Sequence, residues 1–191
     1  MAEYLDDMEP IVDLPDTIET ATGWLTEQEL ANVRDRVPMV YVDAVPVRVD
    51  HLGRVTRIGL LLRAMPDGTI SRAVVSGRVL WGETIREALW RHLTKDLGND
   101  ADPHLPPSPQ PFTVVEYFPD PKRSGYHDPR QHKVALGFIV PIEGEPEASA
   151  DSLDFGWLTP EEAVSEIVKS EMTAGHDRVV RMALGHAGVL P

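Results

Sequence analysis

Residues 77–98 read GRVLWGETIREALWRHLTKDLG, and no other stretch constrains the fold as much. Ile85, Leu89, Leu93 and Leu97 recur every four residues with Ala88 beside them, which makes one apolar stripe for packing on a core. Thr84 followed by Glu87 is a capping box, in which each side chain satisfies the other's free backbone N–H. Gly98 follows the last apolar residue, where a helix commonly closes in the left-handed conformation. The spacing predicts a helix over 84–97, entered through a loop over 77–82. Glu83, Glu87, Arg91 and Lys95 are also spaced by four, acids first and bases last. That order suits pairing along a solvated face and the helix dipole. His92 and Asp96, four apart, are placed to share a hydrogen bond or to chelate a metal.

The rest of the chain alternates strand and helix signals. Residues 1–22 are acidic, carry no Lys or Arg, and read as a flexible tail; residues 23–191 read as one domain. Thr26 and Glu29 open a helix that must stop before Pro38. Residues 39–49 read as a strand, with Pro46 suggesting an edge or a bulge. Val55 to Arg63 read as a second strand buried on both faces. Pro66-Asp67-Gly68 has turn chemistry, and a third strand is expected over Thr69 to Val75. After the helix come a proline-rich loop over 99–111, strands near 112–118, 134–142 and 153–158, and a long polar loop over 119–131. Thr159-Pro160-Glu161-Glu162 is a helix start, and a last helix is expected near 177–184. This order implies an α/β fold with a mixed sheet and helices on both faces.

Composition narrows the function classes. There is no cysteine, which removes thiolate metal sites and cysteine nucleophiles. A formal net charge of −13 argues against broad nucleic-acid binding, which needs a basic face. It leaves room for a local basic pocket for a small anion. No apolar run approaches a membrane span and the start lacks a secretory signal, so the expectation is a cytoplasmic protein without membrane or nucleic-acid partners.

Residues 77–98 resemble a Nudix box, whose pattern is G-x5-E-x7-R-E-U-x-E-E-x-G-U with U a bulky aliphatic. Gly77, Glu83, Arg91, Leu93, Asp96 and Gly98 fall in frame. His92 and Lys95 stand where the pattern has glutamate, Asp96 replaces a third glutamate, and Asn99 replaces the last aliphatic. FGWLTPEEA (155–163) and GHDRVVRMAL (175–184) resemble the elements that follow in that family. The resemblance implies a Nudix-type α/β/α sandwich. It also implies a helix that holds Mg²⁺ or Mn²⁺ against a diphosphate while water attacks phosphorus. Carried over residue by residue, Gly77 supplies a backbone carbonyl ligand, Asp96 and His92 stand at metal positions, and Arg91 orients the carboxylates, Glu83 among them. Imidazole is a poor Mg²⁺ ligand, and an ammonium at Lys95 stands where a cation must bind. Lys95 is also placed to hold a phosphate directly, as a point charge.

Other candidates lie outside the box. The stretch from Tyr126 to His132 resembles a D-P-R-x-H segment of ADP-ribose-type members, in which Arg130 would hold a phosphate and His127 or His132 would move a proton. Asp128-Pro129 is equally ordinary turn chemistry. Glu116, alone in an apolar strand, would either face the box as a substitute carboxylate or face solvent. Two functions follow. One is a module that binds a nucleoside diphosphate linked to another moiety, with catalysis weakened or lost because the box glutamates are replaced. The other is an active pyrophosphohydrolase, with an ADP-ribose-like or nucleotide substrate, using a non-standard Mg²⁺ or Mn²⁺ site. The resemblance is compatible with a homodimer.

Overall fold

A computed structural model describes residues 24–64, 68–149, 152–172 and 175–191. The acidic tail and the Pro66-Asp67 part of the expected turn lie outside these residues. Seven strands form one sheet: β1 (Met39–Val49), β2 (Val55–Ala64), β3 (Ile70–Ala73), β4 (Val75–Arg78), β5 (Thr113–Tyr117), β6 (Lys133–Pro141) and β7 (Asp154–Leu158). The order is β3-β2-β1-β6-β5, with β4 also paired to β1 and β7 also paired to β2. The β1–β6 pair is parallel and the other pairs are antiparallel. The helices are α1 (Glu27–Arg34), α2 (Ile85–Leu97), α3 (Pro160–Ala163), α4 (Glu166–Glu171) and α5 (His176–His186).

The two faces of the sheet are set by alternation along β1. Val42 and Ala44 pack with Leu61, Val75 and Phe138 against Ala88, Leu89, Leu93 and Leu97 of α2. Val45 and Val47 pack with Leu60, Val115 and Ala135 against Ala163, Val168, Val180 and Leu184 of α3, α4 and α5. The result is an α/β/α sandwich around a mixed sheet, as expected. Leu89, Leu93 and Leu97 have no exposed surface, and each stabilises the fold by about 1.5–3 kcal/mol. The capping boxes at Thr26, Thr84 and Thr159 all form. Gly98 closes α2 at φ 81°, a value that favours glycine.

Three local expectations need correction. The third strand is two strands, broken at Val74 as the chain turns from β2 to β1. Gly77 is not in a loop; it lies in β4 opposite Val42. Pro46 is not at an edge, because β1 is flanked on both sides. The amide of Met39 and the carbonyl of Val47 both bond toward the β6 side, so the odd residues of β1 face β6 and Pro46 faces the other neighbour. There the partner changes from β4, last paired at Ala44, to β2, first paired at Val47. A residue without an N–H costs no ladder bond at that gap.

Candidate functional site

The α2 face of the sheet holds most of the box candidates. Ladder alternation points Gly77 toward α2, and the His92 ring lies against it so closely that a Cβ at 77 would fall on the ring. His92 Nε2 is 3.0 Å from the Arg78 carbonyl oxygen. A carbonyl only accepts, so Nε2 carries the hydrogen. Burial lowers the His92 pKa, against the pull of that carbonyl, and the ring is neutral near pH 7. Arg91 Nη2 donates to the same carbonyl at 2.9 Å. The Arg91 fork also grips Glu83, with Nε to Oε1 at 2.6 Å and Nη2 to Oε2 at 2.7 Å. Burial raises the Glu83 pKa, but the Arg91 and Leu80 hydrogen bonds outweigh it and hold the carboxyl below its ordinary range. Glu87 serves the Thr84 cap instead of pairing with Arg91. Trp24, just before α1, stacks over Arg91 with the ring centroid 5.4 Å away. Gly77, Glu83, Arg91 and His92 therefore form one constellation around the Arg78 carbonyl.

Asp96 is one turn further on and has a different neighbour. Leu61 faces α2, so Arg63, two residues along β2, faces it too. Arg63 Nη2 donates to Asp96 Oδ2 at 2.7 Å, and the Asp96 side chain is 3% exposed. Arg63 was not legible as a site residue, since nothing in a strand's sequence names its partner on a distant helix. Lys95 is exposed on the outer side of α2.

The resemblance of residues 77–98 to a Nudix box implies a divalent metal at this helix, and the donor set does not suit one. The only carboxylate at the former glutamate positions already carries a guanidinium. The imidazole at 92 turns its hydrogen, not a lone pair, to the nearest backbone oxygen. Among the described residues, one trio of metal-competent groups does converge: Asp102, His104 and Glu143, all exposed, with ligand atoms within 4.8 Å. None of the three belongs to the box.

The remaining candidates are not gathered at the box constellation. Arg130 donates from Nε and Nη2 to both oxygens of Asp128, at 2.9 and 3.0 Å, so its fork is filled by its own turn. Glu116 is on the α2 face but more than half exposed, 3.3 Å from His132 Nε2. His132 stacks on Phe118 with centroids 4.4 Å apart. His127 is half-buried and bridges to Phe118 through the backbone.

A second polar cluster, unmarked by any motif, is buried on the α5 face. Asp43 has no exposed surface and accepts from Ser76 Oγ at 2.6 Å, Tyr117 Oη at 3.1 Å and Lys133 Nζ at 3.1 Å. Burial pushes its pKa up, but Lys133, His176 and Ser76 together hold it low. Burial also raises the Tyr117 pKa, with Asp43 adding to it. The signal available in sequence was a lone acid inside the apolar run MVYVDAVPV.

Comparison with known proteins decides the family. A family model described as a domain of unknown function, DUF4916, matches residues 20–189. The chain belongs to the DUF4916 family. It is 52% identical to a solved Jonesia denitrificans protein described as a possible asymmetric diadenosine tetraphosphate (Ap4A) hydrolase, with a TM-score of 0.80, covering 82% of this chain and 98% of that one. The MutT protein of Methanosarcina mazei Go1 is 15% identical with a TM-score of 0.55, covering 78% of this chain and 96% of that one. The NUDIX domain of Shewanella oneidensis NrtR, solved with ADP ribose, is 16% identical with a TM-score of 0.54, covering 84% and 98%. This DUF4916 chain thus has the Nudix fold. No curated protein matches it. Among the described residues no helix is long and apolar enough to cross a membrane.

Proposed function

We propose that this chain uses the Nudix fold to bind a nucleoside diphosphate linked to another moiety, with hydrolysis at the box weakened or lost. The Arg63–Asp96 pair carries the reading: a fixed cation stands 2.7 Å from the one acid left among positions 92, 95 and 96, the three glutamate positions within the helix. At about 4 Å and an effective dielectric near 20, a unit cation repels a divalent ion by roughly 8 kcal/mol. Lys95, exposed on the outer side of α2, adds a second charge of the same sign. In this reading Arg91 keeps a positioning role, fixing Glu83 and the Arg78 carbonyl at the mouth of α2, and Lys95 meets the phosphates as an ammonium. The ADP ribose bound to the NrtR domain supports a nucleotide-like ligand on this fold.

The second reading is an active pyrophosphohydrolase with a non-standard metal site. The description of the Jonesia relative as a possible Ap4A hydrolase favours it. One experiment separates the two. Purified protein is incubated with Ap4A and with ADP-ribose, in Mg²⁺ and then Mn²⁺, while product release and thermal stability are followed together. Stabilisation by ligand without turnover supports the binding module. Metal-dependent turnover that disappears in Asp96→Ala supports the enzyme.

A further inference from the structure

On the opposite face from His92, Arg34 and Tyr41 are joined through Gln131, and Arg78 stands opposite Tyr41 on the neighbouring strand. Gln131 is 1% exposed and its orientation is fixed by its partners. Its Nε2 donates to Asp128 Oδ2 at 2.9 Å, and a carboxylate in that state only accepts. The same nitrogen reaches Tyr41 Oη at 2.9 Å, so Tyr41 accepts there and its own proton is left to point elsewhere. Gln131 Oε1 accepts from Arg34 Nε at 3.0 Å, which holds the end of α1 in place and leaves both terminal nitrogens of Arg34 for another partner. Tyr41 stands opposite Arg78 in the β1–β4 ladder. Directly opposed residues have Cβ atoms about 4.5–5.5 Å apart, so the two side chains lie together. Among the described residues neither Arg34 nor Arg78 forms an ion pair with a carboxylate, in a chain whose net charge is −13. Asp128, the nearest acid on this relay, is taken by Arg130.

We infer that Arg34, Arg78 and Tyr41 form a binding site for a multiply charged oxyanion of phosphate type. Two guanidinium forks and a phenol proton offer only donors, and planar forks match the paired oxygens of a phosphate. The electrostatics agree. Partial burial, then the Arg34 and Arg91 charges, hold the Arg78 pKa below the ordinary arginine value against the pull of Tyr41. Two like charges held close without an anion between them are relieved by one. This site does not use Asp96 or Arg63 and does not rest on the preceding reading.

The test is calorimetric titration of the full chain with pyrophosphate, and separately with inorganic phosphate, at low ionic strength. Pyrophosphate binds to the wild type, more tightly than phosphate, and its affinity falls as salt is added. Arg78→Gln and Arg34→Gln each weaken it about tenfold. Tyr41→Phe, which keeps the ring in the core, weakens it by a smaller factor, and Arg57→Gln on exposed β2 surface leaves it unchanged. Each variant is checked for a native melting transition, and Tyr41→Phe covers the case in which loss of Arg34 loosens α1. No pyrophosphate binding by the wild type overturns the inference, as does wild-type affinity in Arg78→Gln or Tyr41→Phe.

Discussion

Arg63 and Asp96 are 33 residues apart in the chain and 2.7 Å apart at their charged ends. The carboxylate is buried and the guanidinium is about a third exposed, so the pair is neither a surface contact nor a fully dry one. Its cation stands beside a box position at which the sequence resemblance implies a metal ligand.

Arg63→Met takes that cation away from a buried carboxylate. The expected cost is about 2–3 kcal/mol, at the lower end for a buried pair because Arg63 is partly solvated. Urea unfolding measures it. The double variant Arg63→Met with Asp96→Leu recovers most of the loss, since it removes both charges; a double variant no more stable than the single one contradicts this reading of the pair.

Restoring the acids is expected to restore the ion. His92→Glu and Lys95→Glu rebuild the charge of the box, and Arg63→Ala clears the competing guanidinium. The triple variant binds Mn²⁺ in a calorimetric titration, and the two glutamates without Arg63→Ala bind it more weakly. Equal affinities in the two variants would show that Arg63 does not compete.

Gly77 and His92 are matched by shape. A Cβ at 77 would occupy the space of the imidazole, so Gly77→Ala costs about 1–3 kcal/mol by overpacking. Adding His92→Ala removes the obstacle and returns part of that stability. A Gly77→Ala protein with unchanged melting temperature would sink the packing account.

Much of this was readable before the fold. The α2 stripe and the three threonine caps are local patterns, each complete within a few residues, and all three caps form. The strands other than β3 and β4, which read as one, were legible with their order along the chain for the same reason. What escaped was pairing across the sheet. Pro46 read as an edge residue because a missing N–H usually marks one, yet it lies mid-sheet where one neighbour hands over to another. The i,i+4 charges of α2 read as mutual pairs, yet Arg91 reaches back to Glu83 and Glu87 caps its own helix. Arg63 and Gln131 carry no local signature, and Asp43 only that of an acid in an apolar run, because their partners are set by which strands lie side by side.

His176 gives the fold an acid limit. Its ring is buried on the α5 face with Nδ1 lacking a hydrogen bond among the described residues. Burial, against the pull of Asp43, takes its pKa from 6.5 down to about 4. Between these values the unfolded chain holds the proton more readily than the folded one. Stability is therefore full above about pH 6.5 and falls as pH drops toward 4, by up to about 3 kcal/mol. Unfolding curves at pH 7 and 4.5 measure the slope, and His176→Phe is expected to flatten it.

Whether the box holds a divalent ion decides between a binding module and a hydrolase. Mn²⁺ titration of the wild-type chain, repeated with Ap4A present and with product release followed in the same samples, tests this most directly. The expected result is no Mn²⁺ binding that depends on Asp96 and no cleavage. Saturable Mn²⁺ binding lost in Asp96→Ala, accompanied by cleavage of Ap4A, would contradict it.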